Sequence, residues 1–437
     1  MNRSLGLDIG ITKVLKSTSF FLLGLCLYLE SVAPHTIYSQ ITLLLSSLIM
    51  ILYSCFSRRK GEVCINLKLN PLIICYAFFI LYQFVLVAVG KVYNRNVSLD
   101  DLKTMFITLV FLFSSFNFLR KDNNINNFKS LLFFIGVIGA LTILYCCRDT
   151  IGTGRLGHTY KEYGGGYTFL GLSIRTSSNG FASFWSFAFL CGAMKTYNEK
   201  NFLKKLLYCL CLLFLIVCVL LTGSRKGVFT LGVCILAAFV LNPHSKSQFL
   251  RLIFGICLII CFYFVVINVS FLRSIIGERL ELLVNSIIFG SDEMEGSMQS
   301  RNYYAEQGWI SFANSPLIGH GVGWFKSTYT NVCENEYLEI LVSGGIIGFI
   351  IYFFYLPFII IKIIKIMLSK KKNRDAVFYG VILLVSLIDM LGSTIYLSRG
   401  SLFYMMLIFV AIEKEKHNFI VKTNPINKTN YLITKSY

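Results

Sequence analysis

Residues 206–221 read LLYCLCLLFLIVCVLL, sixteen positions without a charge or an amide side chain. With its flanking residues the run is long enough to cross ~30 Å of hydrocarbon as a helix. It is followed by Thr222-Gly223-Ser224-Arg225-Lys226-Gly227, and then by a second apolar run from Val228 to Leu241. Such a stretch leaves the bilayer through a very short polar turn and re-enters at once. Similar runs recur along the whole chain. Spans are expected near 14–33, 38–56, 70–90, 102–119, 129–147, 177–195, 203–222, 226–242, 250–271, 335–361, 376–392 and 399–413. The short alternating segments of a β-barrel do not occur. The expected fold is an all-α integral membrane protein, a single polytopic domain over 1–437 with about twelve transmembrane helices. One large extracytoplasmic loop lies between spans nine and ten.

Composition points the same way. Of 437 residues, 55% are hydrophobic and 14% charged, too few charges to cover the surface of two or three soluble domains. The first span follows Arg3, Lys13 and Lys16, and no small-residue cleavage site comes after it, so it reads as retained. Alternate connections carry Arg58, Arg59, Lys60 and Lys68, then Arg120, Lys121 and Lys129, then Lys195, Lys200, Lys204 and Lys205. Lys246 and Arg251, the cluster from Lys362 to Arg374, and a basic tail over 413–437 continue the series, placing 27 of the 41 basic residues on one side. By the positive-inside rule that side is the cytoplasm, and both termini lie there. The net charge of +19 is thereby explained by topology and attraction to anionic headgroups rather than by a nucleic-acid partner. Most of the 14 cysteines fall inside spans, and none forms a CxxC pair or Cys/His cluster, so neither a disulfide framework nor a metal site is expected.

Two outward segments are longer than a turn. Residues 148–176 are glycine-rich and hold Arg155, His158, Lys161, Glu162 and Arg175. Residues 272–334 hold Arg273, Arg279, Arg301, Trp309, His320 and Glu334, and their aromatic and glycine content reads as a folded, functional loop. Arg225, in the turn between spans seven and eight, is placed at the membrane surface by two rigid helices. That suits a phosphate oxyanion, which a guanidinium grips with two parallel hydrogen bonds. The competing reading has Arg225 and Lys226 snorkelling to anchor the helix ends.

The order of motifs resembles the O-antigen polymerase and O-antigen ligase superfamily. The resemblance runs over roughly 150–350. It rests on the Gly223-Ser224-Arg225 turn, on Arg301, Trp309 and Pro316-Leu317-Ile318-Gly319-His320-Gly321, and on Glu334-Asn335-Glu336-Tyr337-Leu338 opening a late span. Arg175-Thr176-Ser177-Ser178-Asn179-Gly180 is similar to an asparagine-bearing motif of the same proteins. The resemblance implies an inverting glycosyltransferase of the plasma membrane whose donor is a polyprenyl-diphosphate-linked oligosaccharide, with no cofactor or metal. Its other partners would be membrane lipids and further polysaccharide-assembly proteins. It places diphosphate contacts on Arg225 and Arg301, and substrate contacts on Asn335, Tyr337, Arg175, Asn179 and Trp309. The family's histidine position falls on Glu334, a departure that points away from the ligase branch and toward a polysaccharide polymerase of the O-antigen or capsule type.

The chemistry has a physical basis apart from the family. Departure of a lipid diphosphate from an anomeric carbon develops negative charge, and preorganised arginines stabilise it. Glu334 near the acceptor hydroxyl would serve as general base, although a carboxylate at a helix N-terminus is stabilising in its own right. Trp309, Trp324, Tyr303 and Tyr304 would stack on sugars or form an interfacial aromatic belt. Asp292, Glu293 and Glu295 read as a solvated surface. Glu30 and Asp389, inside spans and toward the outer half, are functional candidates or caps of a polar cavity, with outward arginines as the expected partners. A transporter or flippase of lipid-linked oligosaccharide would carry a duplicated half and midplane polar groups, which the chain does not show.

Reporter fusions near residues 60, 200 and 372 should report cytoplasm, and those near 160 and 300 the outside. A cytoplasmic signal from the 272–334 segment would remove the basis for chemistry on lipid-linked units.

Overall fold

The computed structural model describes residues 2–32, 36–56, 67–90, 94–121, 124–148, 156, 168–169, 172–173, 178–241, 248–289, 296–368, 374–393 and 396–423. Arg175, most of the 148–176 segment, Asp292, Glu293, Glu295 and the tail beyond Thr423 lie outside the described residues.

The described chain is helical apart from a two-residue antiparallel pairing, Thr168 with Ser173 and Phe169 with Leu172. Helices α1 (Asn2–Val32), α2 (Ile37–Phe56), α3 (Pro71–Ala88), α4 (Arg95–Leu119) and α5 (Asn124–Cys146) make the first half. Then come α6 (Ser178–Asn198), α7 (Phe202–Leu221), α8 (Arg225–Leu241) and α9 (Gln248–Asn268). Asparagine opens several of these helices. Asn70 caps α3 by accepting from the Ile73 amide at 2.9 Å, with Pro71 at the first helical position where its missing N–H costs nothing. Asn201 caps α7 in the same way.

Seven helices among the described residues are long and apolar enough to cross a membrane, and a bent pair would make eight. The expected count of twelve exceeds that number because the spans expected near 177–195, 226–242, 376–392 and 399–413 do not reach that length and hydropathy, and the first two of these, α6 and α8, lie against other helices. Helix α6 packs against α5, α7 and α8, and buries Trp185 with Phe181 stacked on it. A helix surrounded by helices needs small residues for close approach more than it needs greasy ones for lipid. A Cβ added at Gly136 would lie 2.3 Å from that of Ala188, and one at Gly227 would lie 2.1 Å from that of Ala182.

The region expected as one large loop is mostly helical. Helix α9 stops at Asn268, and the chain turns by 88° into the segment from Ser270 to Leu282. A π-helical turn, Arg273–Gly277, leads into α10 (Glu278–Phe289), followed by α11 (Gly296–Asn314) and the short α12 (Trp324–Tyr329). The span expected over 335–361 is interrupted. Helix α13 (Glu336–Phe353) contains a non-helical residue, Gly345, with φ 62° and ψ −166°, and Phe354 separates it from α14 (Tyr355–Leu368). Helices α15 (Arg374–Met390) and α16 (Arg399–Thr423) complete the bundle, with the residues from Leu402 to Val410 buried.

The break at Gly345 frees backbone groups that hydrocarbon cannot hydrogen-bond. The 315–322 segment satisfies them. The His320 and Gly321 amides donate to the Val342 and Ser343 carbonyls at 2.9 Å, and the Ile346 and Ile347 amides donate to Pro316 and Leu317 carbonyls at 2.9 and 3.2 Å. Helices α3 and α4 hold the segment from the other side. Tyr82 Oη donates to the Ile318 carbonyl at 2.8 Å, Gln83 Oε1 accepts from the Val322 amide at 2.8 Å, and Ser98 Oγ donates to the Val322 carbonyl at 2.6 Å.

Gly345→Ala should cost about 2 kcal/mol or more, since left-handed backbone is strained for any side chain and a Cβ would meet the Leu317 carbonyl oxygen at 2.3 Å. Thermal unfolding of the detergent-purified protein measures it. Gly400→Ala, where nothing lies within 4 Å, serves as the control and should leave stability unchanged.

Candidate functional site

One end of the bundle collects the charged side chains that hydropathy alone would keep out of a membrane. The turn from α7 to α8 is there. Gly223 takes positive φ, 59°. Ser224 caps α8: its Oγ accepts from the Gly227 amide at 3.0 Å and donates to Asn179 Oδ1 at 2.6 Å. This locks the start of α8 to the start of α6, and it occupies the side-chain oxygen of Asn179, expected to contact substrate. Arg279 Nη1 in α10 donates to the Gly223 carbonyl at 2.9 Å, so the bent segment after α9 closes over the same turn. The buried Leu156 reaches it as well, its amide donating to the Leu221 carbonyl at 3.1 Å.

Arg225 occupies the first position of α8 and is half-buried. Lys226, read as a snorkelling anchor, instead turns inward. Its Nζ lies 3.0 Å from Asp389 Oδ1 at the end of α15 and donates to Ser393 Oγ at 2.8 Å, with side-chain exposures of 16% and 8% for the ion pair. The expected arginine partner of Asp389 is therefore a lysine. Glu30, at the end of α1, pairs with Arg399 Nη1 at 2.6 Å, and Arg399 comes from the start of α16 rather than from an outward loop. Both pairs close gaps between neighbouring helix ends.

The second part of the site comes from α11. Arg301 Nε donates to Glu334 Oε2 at 2.7 Å, joining the loop arginine to the acid expected at a histidine position. The side chains are 38% and 33% exposed. Arg301 is also within electrostatic reach of Lys226, which brings the α11 arginine up to the α7–α8 turn. Glu334 is in left-handed backbone, φ 53°, where a residue with a side chain is strained by ~1–3 kcal/mol. Asn335 follows as the N-cap of α13, accepting from the Leu338 amide at 3.2 Å, and Tyr337 stacks on Phe353 while its hydroxyl donates to the Leu387 carbonyl at 3.3 Å. Both are committed to the fold around Glu334. Cys333, next to Glu334, is no nucleophile: burial and the Glu339 carboxylate push its thiol up, far from thiolate formation.

Among the aromatics, Trp324 stacks on His320 with centroids 4.1 Å apart, and His320 Nε2 is 2.8 Å from the Ser311 carbonyl, so both build the loop. Tyr304 packs toward Phe325. Trp309, 57% exposed, and Tyr303 keep open faces. Trp309 sits eight residues from Arg301 on α11, about 12 Å along the axis.

Residues 210–353 match the O-antigen ligase family model. The match runs from within α7 to the end of α13 and takes in Arg225, Arg279, Arg301 and Glu334 together. It agrees with the resemblance to the O-antigen polymerase and ligase superfamily. No curated protein matches the chain. Arg279 was named in the sequence only as a base of the long loop. Its bond to Gly223, and the Lys226–Asp389 and Glu30–Arg399 pairs, join residues too distant in sequence for spacing to reveal them.

Lys226→Met should destabilise the protein by about 3–5 kcal/mol, because it strands a buried carboxylate. Lys226→Met with Asp389→Leu should recover most of that loss. Thermal unfolding of both variants in detergent tests the pair, and equal loss in single and double variants would show that it contributes nothing.

Proposed function

We propose that this chain is a polysaccharide polymerase of the plasma membrane, joining polyprenyl-diphosphate-linked oligosaccharide repeat units on the extracytoplasmic side. The end of the bundle that carries Arg225, Arg301 and Glu334 is that side, and both termini are cytoplasmic. The observation that carries the reading is the 2.7 Å contact between Arg301 and Glu334, beside the α7–α8 turn. It unites an anion-gripping group with a proton acceptor at one partly open place. A pair this exposed contributes only ~0–1 kcal/mol, so a diphosphate with more charge displaces the carboxylate readily.

Arg225 and Arg301 hold the donor diphosphate. The acceptor hydroxyl oxygen forms a bond to the anomeric carbon from the face opposite the leaving group, while the bond from that carbon to the phosphate oxygen breaks. The hydroxyl proton passes to Glu334, and polyprenyl diphosphate leaves with the bonding electrons, its charge met by the two guanidinium groups. A carboxylate is a weaker base than an alkoxide, so the proton moves in concert with attack rather than before it. Trp309 and Tyr303 offer faces for sugar stacking. Configuration at the anomeric carbon is inverted.

The ligase reading shares these steps and differs in acceptor, and it is favoured by the description of the matching family model. Glu334 at the histidine position favours the polymerase. Purified protein given lipid-linked repeat units alone should make a ladder of polymer, whereas a ligase would leave them unjoined.

Arg225→Lys and Arg301→Lys should each lower polymer formation by ~10²-fold or more at normal membrane levels, since lysine keeps the charge and loses the two-pronged grip. Normal polymer from both would reduce these residues to helix-positioning roles. Glu334→Gln should lower turnover by ~10²-fold or more with donor binding retained. Near-normal polymerisation by that variant would remove Glu334 from the mechanism.

A further inference from the structure

Glu334 holds a backbone conformation that its side chain disfavours, so neighbouring groups must enforce it. On its C-terminal side Asn335 caps α13. On its N-terminal side stands the Cys333 amide, which donates to Glu339 Oε2 at 3.0 Å. Glu339 is 1% exposed, in the first turns of α13. A glutamate in a capping box reaches back to the amide of the cap residue itself. Glu339 reaches two residues further, past the cap, to the residue that enters the strained position. Its other oxygen receives the Tyr396 hydroxyl at 3.5 Å, and the Tyr396 carbonyl accepts from Tyr76 Oη at 2.7 Å. Burial keeps that tyrosine a neutral donor, holding its hydroxyl well above its usual range. A carboxylate can accept from Cys333 and Tyr396 through separate oxygens. A glutamine keeps one acceptor oxygen for Cys333 and would face the Tyr396 hydroxyl with an amide donor.

We propose that Glu339 is a positioning residue for glycosyl transfer: it fixes the Cys333–Glu334 turn from beneath and so aims the Glu334 carboxylate at Arg301 and the acceptor hydroxyl. It touches no substrate and acts only through Glu334. The proposal rests on the reading of Glu334 as the base. It ties the site to the core of the bundle through Tyr396 and Tyr76, on the segment before α16 and on α3.

The test uses the full-length purified protein with lipid-linked repeat units, measuring kcat and the donor KM for four variants. Glu339→Asp keeps the carboxyl group but is one methylene too short for the Cys333 amide. It should lower kcat by up to ~10²-fold, the cost of a misplacement near 1 Å, with donor KM unchanged. Glu339→Gln keeps one acceptor for Cys333 and should retain most of the turnover. Glu334→Gln combined with Glu339→Asp should fall no further than Glu334→Gln alone, to within about twofold, because a residue acting through Glu334 has nothing left to position. Normal turnover by Glu339→Asp would overturn the proposal, as would multiplied losses in the double variant. If Glu339→Asp does not fold, Glu339→Gln decides: a loss as large as that of Glu334→Gln would overturn it. Full activity of Glu334→Gln alone would sink the base itself, an outcome read from that variant independently of the others.

Discussion

A break in a helix at membrane depth is tolerated only where other protein groups take over its hydrogen bonds. At Gly345 they come from a chain segment that has already left the bundle and returned. Four backbone bonds tie residues 316–321 to residues 342–347, while Tyr82, Gln83 and Ser98 tie the same segment to α3 and α4. The α11–α12 region is thereby stitched into the membrane domain at one point. From that point α11 projects Arg301, and α13 begins just after Glu334. A loop hinged only at its ends would leave these two groups to find each other by chance. Crossed backbones hold both supports, and neither glycine at the crossing has room for a side chain: a Cβ at Gly319 would meet the Gly345 amide nitrogen at 2.5 Å.

Charge burial separates the pairs around this frame into two kinds. Lys226–Asp389 and Glu30–Arg399 are largely enclosed, so either partner alone would be a charge without water, and the pairs act as joints between helix ends. Arg301–Glu334 is open enough for water to screen it, so it binds its own members weakly and leaves both available. The same end of the bundle thus holds fixed ions that shape it and an exchangeable pair suited to chemistry. Arg279 belongs with the first kind, because its bond to the Gly223 carbonyl holds the turn on which Arg225 stands.

Much of the frame is legible in hydropathy, since a span facing lipid must be apolar over its full length. Residues 206–221 need no context to be recognised. Helix α6 is less apparent, because an interior helix answers to packing, and its Gly192 and Ala188 mean more to α5 than to hydrocarbon. The break in α13 is hinted at by Gly344, Gly345 and Gly348, but its partners lie more than twenty residues away. The site was legible as a set of motifs and not as a set of contacts. Arg301 and Glu334 were picked out separately, 33 positions apart, and nothing in their spacing says that they meet. Asn179 and Asn335 were read as substrate contacts because motif order marks them. The structure spends their side-chain oxygens on Ser224 and on the first turn of α13. A polar residue at a helix start has this second use, and sequence alone does not divide the two.

The acid at the histidine position also changes what the resting site looks like. A neutral imidazole could accept a hydrogen bond from a guanidinium but would offer it no opposite charge. A carboxylate is drawn to it, and at 2.7 Å the Nε–H of Arg301 lies on the oxygen that would accept a proton. On the proposed mechanism, the donor diphosphate must take Arg301 before Glu334 is released to the acceptor. Phosphate oxygens carry the greater charge and accept the guanidinium's parallel donors, so the exchange is favourable when the donor arrives and reverses when polyprenyl diphosphate leaves. On that proposal, glutamate in place of histidine would do more than change the base: it would free the base when the diphosphate binds, and the strained turn at Glu334, with the Cys333 amide bound by Glu339, would keep the released carboxylate close to Arg301.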